Sequence, residues 1–231
     1  MVTEGIPISA MTVQELLGRP LNDVEDKLAP ETLFIRGTIR PPLPGPRVSI
    51  VGSRKPSSEG LSDARDISKI LAEKEVIIVS GLAEGIDTSA HEAAMKAGGK
   101  TIAVLGTPLD KTYPKKNHWL QQEIMNHYLA ISQFQIGHQT TPKDFVARNR
   151  TMALISDATI IVEAGELSGS RHQGWEAIRL GRPLFIWKSI LNNTQLKWPE
   201  EMLQYGAIEL YDPADVLESI PSSLEMLRIL S

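Results

Sequence analysis

The sequence predicts an α/β protein with a doubly wound, mostly parallel sheet, and three observations carry that prediction. Short, mainly apolar runs of the kind a parallel sheet buries on both faces begin with Val48-Ser49-Ile50-Val51 and Val76-Ile77-Ile78-Val79. From Arg47 onward such runs alternate with helical stretches, as doubly wound folds require. The first two runs end in small-residue turns, Gly52-Ser53 and Ser80-Gly81, each just ahead of a helix.

Residues 1–46 read as an amino-terminal extension, and 47–231 as the main domain. In the extension, Thr12 to Leu17 can start a short helix and Leu33-Phe34-Ile35 an edge strand. The run PPLPGP at 41–46 is too rich in proline for either element and marks the entrance to the main domain. After the second turn the pattern predicts a helix from about Asp87 to Ala97, a strand Thr101 to Leu105 closed by Gly106, a helix around His118 to Asn126 and a strand Leu129 to Ser132. A helix from Pro142 to Ser156 follows, with proline in the first turn, where its missing N–H costs nothing. Strand Ala158 to Val162, the turn EAGELSGS at 163–170 and a helix from Arg171 to Leu180 stopped by Gly181 come next. Leu184 to Trp187 reads as a strand, with a helix near Gln195 to Gln204, a weak strand Ala207 to Leu210 and a helix from Pro213 to Ile220. The last ten residues fit either an amphipathic helix or an interaction tail.

Composition bounds the function. A chain of 231 residues accommodates one α/β domain and a short appendage. Its formal net charge of -4 means that any nucleic-acid contact must come from a local basic patch. The absence of cysteine rules out disulfides and thiolate-bound metal. No leader-like segment opens the sequence and no apolar run approaches bilayer length, so a cytoplasmic protein without membrane contact is expected.

Cofactor motifs are missing. VGSRKPSSEG offers Gly52 and Gly60 but no G-x-G-x-x-G, and the second strand ends in Ser80-Gly81 rather than a ribose-binding acid. There is no P-loop, no H-E-x-x-H helix, and the five histidines are scattered, so neither a cofactor nor a metal is expected.

Three turns at one sheet edge, each ahead of a helix, could gather free N–H groups for an anion. The first carries Gly52, Ser53, Arg54 and Lys55; the second, SGLAEGID, carries Gly81 and Gly85; the third is Ser168-Gly169-Ser170. Asp87 is placed to cap the helix bearing His91, and a packed histidine is favoured over an acid–base pair. The segment FVARNR, Phe145 to Arg150, puts Phe145, Arg148 or Asn149, and Met152 on one helix face, with Lys143 just ahead. Arg148 could pair with Glu163 or Asp87 to fix loop geometry, or Arg148 or Arg150 could meet a phosphate while Phe145 stacks on a base.

The motifs VSIVGSRKPS, IIVSGLAEGIDTSAH, TIAVLGTPLDKTYPKKN, FVARNRTMALIS and IIVEAGELSGS, in this order and spacing, resemble the DprA/Smf family of DNA-processing proteins. The resemblance runs from about Leu33 to Pro183 and implies an extended Rossmann-like fold that dimerises and holds single-stranded DNA in a basic pocket without catalysis. It further implies a RecA-type recombinase as partner, in DNA uptake and transformation. On matching positions, Arg54 resembles the family's phosphate-binding arginine and Phe145 its base-contacting aromatic, while Lys143 lies close to, within a residue of, its DNA-binding lysine. The chain is expected to hold the Rossmann-like core alone, without the helical and winged-helix domains of many members. It departs from the family pattern at Arg171 to Trp175 and at Ile186 to Ser189, which implies a reshaped pocket floor. A second reading from related folds is a sensor of nucleotide derivatives or a nucleotide hydrolase, with the Arg171–Trp175 segment lining a mononucleotide pocket and Glu163 as the one carboxylate suited to acid–base work.

Overall fold

The computed structural model describes residues 6–220. Among them nine strands form one sheet, in the order β1-β2-β6-β5-β4-β3-β7-β8-β9. The strands are β1 Ser9–Met11, β2 Leu33–Gly37, β3 Arg47–Gly52, β4 Ile77–Ser80, β5 Thr101–Leu105, β6 Leu129–Ser132, β7 Ala158–Glu163, β8 Leu184–Trp187 and β9 Ile208–Leu210. The seven from β3 onward are parallel; β1 and β2 join antiparallel beyond β6.

The expected main-domain strands appear within a residue or so of the positions read from the sequence. The sheet also crosses the expected boundary at residue 46: β2 pairs with β6, from Phe34 opposite Ser132 to Gly37 opposite Leu129. Helix α1, Val13–Leu17, is capped by Thr12 and buries Val13, Leu16 and Leu17 in the same core as the central strands. Two short elements without a periodic signal, β1 and helix α2 at Asp23–Leu28, complete this amino-terminal layer. The final ten residues of the sequence lie outside the described residues.

Alternate side chains along the buried strands face opposite layers. Ile77, Val79, Ile102 and Val104 pack with α1, α6 (Pro142–Ile155) and α7 (Ser170–Arg179). Val48, Ile50 and Ile78 face α3 (Ser58–Glu73) and α4 (Ile86–Lys96), and Ala103 and Leu105 face α5 (His118–His127). Short helices α8 (Lys188–Leu191) and α9 (Trp198–Gln204) follow β8, and a 3-10 helix at Pro213–Glu218 stands where an α-helix was expected. No helix among the described residues is long and apolar enough to cross a membrane.

One feature of the winding positions the site. The chain steps outward from β3 through β4 and β5 to β6, then returns along α6 to lay β7 on the other side of β3. Strand order therefore reverses between β3 and β7, and the loops leaving these two strands diverge. Ligands of open α/β sheets bind in the crevice such a reversal opens at the carboxyl ends of the strands.

Candidate nucleic-acid interface

A cleft of about 820 Å³ opens at that reversal. The turn after β3 contributes Gly52, Ser53, Arg54 and Lys55; α6 contributes Phe145, Arg148, Asn149 and Met152; the turn before α7 contributes Ser168, Gly169 and Ser170. The helical spacing of α6 thus delivers the face expected from FVARNR. Gly81 lines a smaller adjoining cavity of about 200 Å³, so all three small-residue turns meet at one edge. Gly85 stands behind the wall: with φ +79°, it lets the second turn lie against the first, where a Cβ would come within 2.4 Å of the Ser53 carbonyl oxygen.

Backbone N–H groups contribute less to an anion site than the turn pattern implies. The amino end of α3 is closed by Ser57, whose side chain accepts from Gly60 N–H. The Ser57 N–H and hydroxyl in turn donate to Glu163. Gly60 is needed there because a Cβ would come within 2.3 Å of the Glu163 carboxylate. Asp87 is not the cap of α4: Gly85 holds that position, and the Asp87 carboxylate accepts the N–H groups of Gly81 and Ala83 instead. The second turn therefore has a carboxylate of its own. At the third turn Gly169 stands at the cap with no side-chain bond, and Ser168 and Ser170 bond each other through their hydroxyls.

The positive character comes from side chains. Arg54 and Lys55 are exposed, and among the described residues neither has a carboxylate within ion-pair distance. The Arg54 guanidinium carbon lies 5.7 Å from the centroid of the Phe145 ring. Phe145 occupies space left by Gly106, where a Cβ would come within 2.5 Å of the ring, and Tyr113 meets it at a centroid distance of 5.2 Å.

Arg148 has a different task. It is buried, donates from Nη1 to the carbonyls of Gly81 and Val104, and donates from Nε to Asn149 Oδ1 at 3.0 Å. Gly81 must be glycine for this, since a Cβ would come within 2.2 Å of Nη1. Burial lowers the Arg148 guanidinium from its usual range while Asp87 holds it up, and it stays charged. Burial likewise raises the Asp87 carboxyl, against Arg148 and the two N–H donors. Arg148 and Asp87 are not within ion-pair distance; Arg148 ties α6 to the second turn through the Gly81 carbonyl, next to Leu82 with its left-handed φ of 58°. Asn117 steadies the same turn by donating to the Leu82 carbonyl.

Several expectations are corrected by this geometry. Arg148 forms an ion pair with neither expected partner: the Glu163 carboxylate is committed to Ser57 and does not line the cleft, and Asp87 accepts from the Gly81 and Ala83 N–H groups while Arg148 donates to backbone carbonyls and Asn149. Arg150 is turned away from the cleft and pairs with Glu176 of α7 at 3.3 Å, because two residues along a helix face opposite sides. Lys143 is not itself a lining residue but stands exposed on the first turn of α6, next to Pro142 of the cleft wall, a position that does not contradict its expected role. His91, by contrast, is the packing residue it was expected to be: wholly buried with its Nδ1 on Thr101, and lowered to about 3 by burial followed by Arg148, so that it is neutral. Of the segment Arg171 to Trp175 only His172 and Gln173 line the cleft; Arg171 bonds Glu166 and braces the loop from outside. Tyr113 and Leu167 also line the cleft without having been singled out. An aromatic in a proline-rich loop and a leucine amid glycine, serine and glutamate were their only sequence signals.

Fold and site together define a Rossmann-like α/β protein with a cationic, aromatic-walled cleft at its switch point. More narrowly, this chain belongs to the DNA processing protein A (DprA/Smf) family: the profile described as DNA recombination-mediator protein A matches residues 17–221. The DNA processing protein DprA of Streptococcus pneumoniae is 40% identical over 199 residues, which cover 85% of this chain and 68% of that protein. The Bacillus subtilis DprA is 31% identical over 192 residues, covering 83% of this chain and 65% of that protein. The X-ray structure of the S. pneumoniae protein superposes with a TM-score of 0.78 at 34% identity over 95% of this chain and 76% of that one. A Helicobacter pylori DprA structure, described for its single-stranded DNA binding mode, gives 0.76 at 27% identity over 92% of this chain and 98% of that one.

Proposed function

We propose that this chain binds single-stranded DNA in the cleft between β3 and β7, as a non-catalytic component of DNA processing and recombination of the DNA-uptake type. The observation that carries the reading is the Arg54–Phe145 pair: an exposed guanidinium without an acidic partner among the described residues, set beside a ring open to the same cleft. A strand offers a phosphate and a base at that separation, and cationic grooves with stacking aromatics hold single strands with little regard to sequence. Lys55 adds a second phosphate-directed charge, and Ser168 to Ser170 add hydroxyls at the opposite rim. The DNA-processing relatives, and the single-stranded DNA binding mode described for the H. pylori protein, support the same ligand. Non-catalytic binding fits the commitment of Glu163 to Ser57.

The proposal extends to a cytoplasmic homodimer that hands DNA to a RecA-type recombinase. Tyr205, Ile208 and Tyr211, exposed at or near β9, the last strand of the sheet among the described residues, suit a second copy.

The test is titration of a labelled oligothymidylate by fluorescence anisotropy across a salt series. Binding whose logarithm falls linearly with the logarithm of salt, by about 0.7 per phosphate neutralised, and that changes little with base sequence is the expected result. No binding at low ionic strength would contradict the reading.

A further inference from the structure

We propose that the cleft and its smaller neighbour are two consecutive nucleotide subsites, so that the unit recognised is a dinucleotide step. The inference rests on the single-strand reading above and specifies what that site holds. Six residues line both cavities: Arg54, Lys55, Ala83, Tyr113, Phe145 and Arg148. They form the wall that the two spaces share. On one side lies the large cleft; on the other is a space of about 200 Å³ closed by Gly81, Pro114 and Glu84, room for one ring system.

The chemistry of the wall matches a strand laid across it. Two bases in successive spaces are joined by one phosphodiester, which must cross between them. Arg54 and Lys55, exposed and free of carboxylate partners among the described residues, stand on that wall. Phe145 and Tyr113, 5.2 Å apart and tilted by 53°, present aromatic surface to both sides, and neither leaves a gap between them for a base. Each base therefore stacks on an outer surface of the pair, with Tyr113 the more exposed member and the natural platform for the second. Among the described residues Glu84 is the one carboxylate lining the smaller space, and Lys116 pairs with it at 2.8 Å. The absence of side chains at Gly81 and Ala83 beyond a methyl keeps the space open.

The experiment is calorimetric titration of the full chain with 5′-phosphorylated thymidine mono-, di- and trinucleotides at low salt, for wild type, Tyr113→Ala, Tyr113→Phe and Arg54→Ala. The second nucleotide is expected to raise affinity about tenfold, with a smaller gain from the third. Tyr113→Ala is expected to bring the dinucleotide-to-mononucleotide ratio close to one, Tyr113→Phe to preserve it, and Arg54→Ala to weaken the dinucleotide more than the mononucleotide. Equal affinity of wild type for mono- and dinucleotide overturns the two-subsite inference while leaving single-strand binding standing. So does an equal loss for both ligands in Tyr113→Ala, which would make Tyr113 a brace for Phe145. If neither these ligands nor a long oligothymidylate binds wild type, the single-strand reading itself falls.

Discussion

The guanidinium of Arg54, on the turn after β3, stands 5.7 Å from the ring of Phe145, on the first turns of α6, although ninety-odd residues separate them in the chain. The switch in strand order makes this possible, because it opens the turn after β3 toward the helix that crosses back over the sheet. The contact itself stabilises the protein by only about 0.5–1 kcal/mol at so exposed a place. Its consequence is functional: a charge for phosphate and a face for a base are held at a fixed separation.

Arg54 and Phe145 contribute by different physics, and substitution separates them. Arg54→Ala is expected to weaken oligothymidylate binding about tenfold or more and to lower the salt slope by about 0.7, as one phosphate contact is lost. Phe145→Ala is expected to cost about 1–3 kcal/mol of binding with the slope unchanged, since stacking releases no counterions. Anisotropy titrations at four salt concentrations read both quantities; identical slopes for both variants would contradict the division.

The two arginines of the RNR segment are predicted to behave oppositely. Arg150→Ala loses a partly exposed pair with Glu176 and is expected to leave DNA affinity within about twofold. Arg148→Gln strips the buried Gly81 and Val104 carbonyls of their donor and removes a charge that opposes Asp87, and unfolding in urea is expected to show a loss of about 1–3 kcal/mol. A marked affinity loss in Arg150→Ala with unaltered stability would place that residue in the interface after all.

Gly81→Ala tests the close approach of guanidinium and turn. The added methyl would meet Nη1, Cζ and Nη2 of Arg148 at 2.2, 2.5 and 2.7 Å, so a buried side chain must move. Destabilisation of about 1–3 kcal/mol, by thermal or urea unfolding, is expected. Gly165→Ala, where nothing lies within 4 Å, is the control and should be close to neutral.

His91 gives stability a pH dependence of definite sign. Its folded form is held neutral, with a value of about 3, while the unfolded chain accepts a proton near 6.5. The unfolded state therefore binds more protons as pH falls below 6.5, and stability falls with it until about pH 3. In urea unfolding between pH 7 and pH 5, wild type should lose about 1–2 kcal/mol more than His91→Gln. Parallel curves would show that the residue does not titrate as assigned.

Strands such as Thr101–Leu105 and Leu184–Trp187 were legible because nothing polar interrupts an apolar run that the sheet buries on both faces. β1 and α8 were not, being too short to show a period, and α2 (DVEDKL) is mostly charged and buries only Glu25, so it shows no apolar face. At the site, the face of α6 could be read from spacing alone, which placed Phe145, Arg148 and Met152 together. What Arg148 and Glu163 bond to could not be read, because each had more than one partner within reach in sequence terms. Only the packed turns show that Glu163 serves Ser57 and that Asp87 fills the N–H groups of the second turn. Tyr113 and Leu167 escaped for a related reason: they reach the cleft from loops, whose paths carry no periodic signal.

The most direct measurement is a crystal structure of the chain with a short oligothymidylate bound. A phosphate oxygen within hydrogen-bond distance of the Arg54 guanidinium, with a thymine stacked on Phe145, is the predicted result. A strand ordered on another surface, with the Arg54–Phe145 pair untouched, would contradict the account.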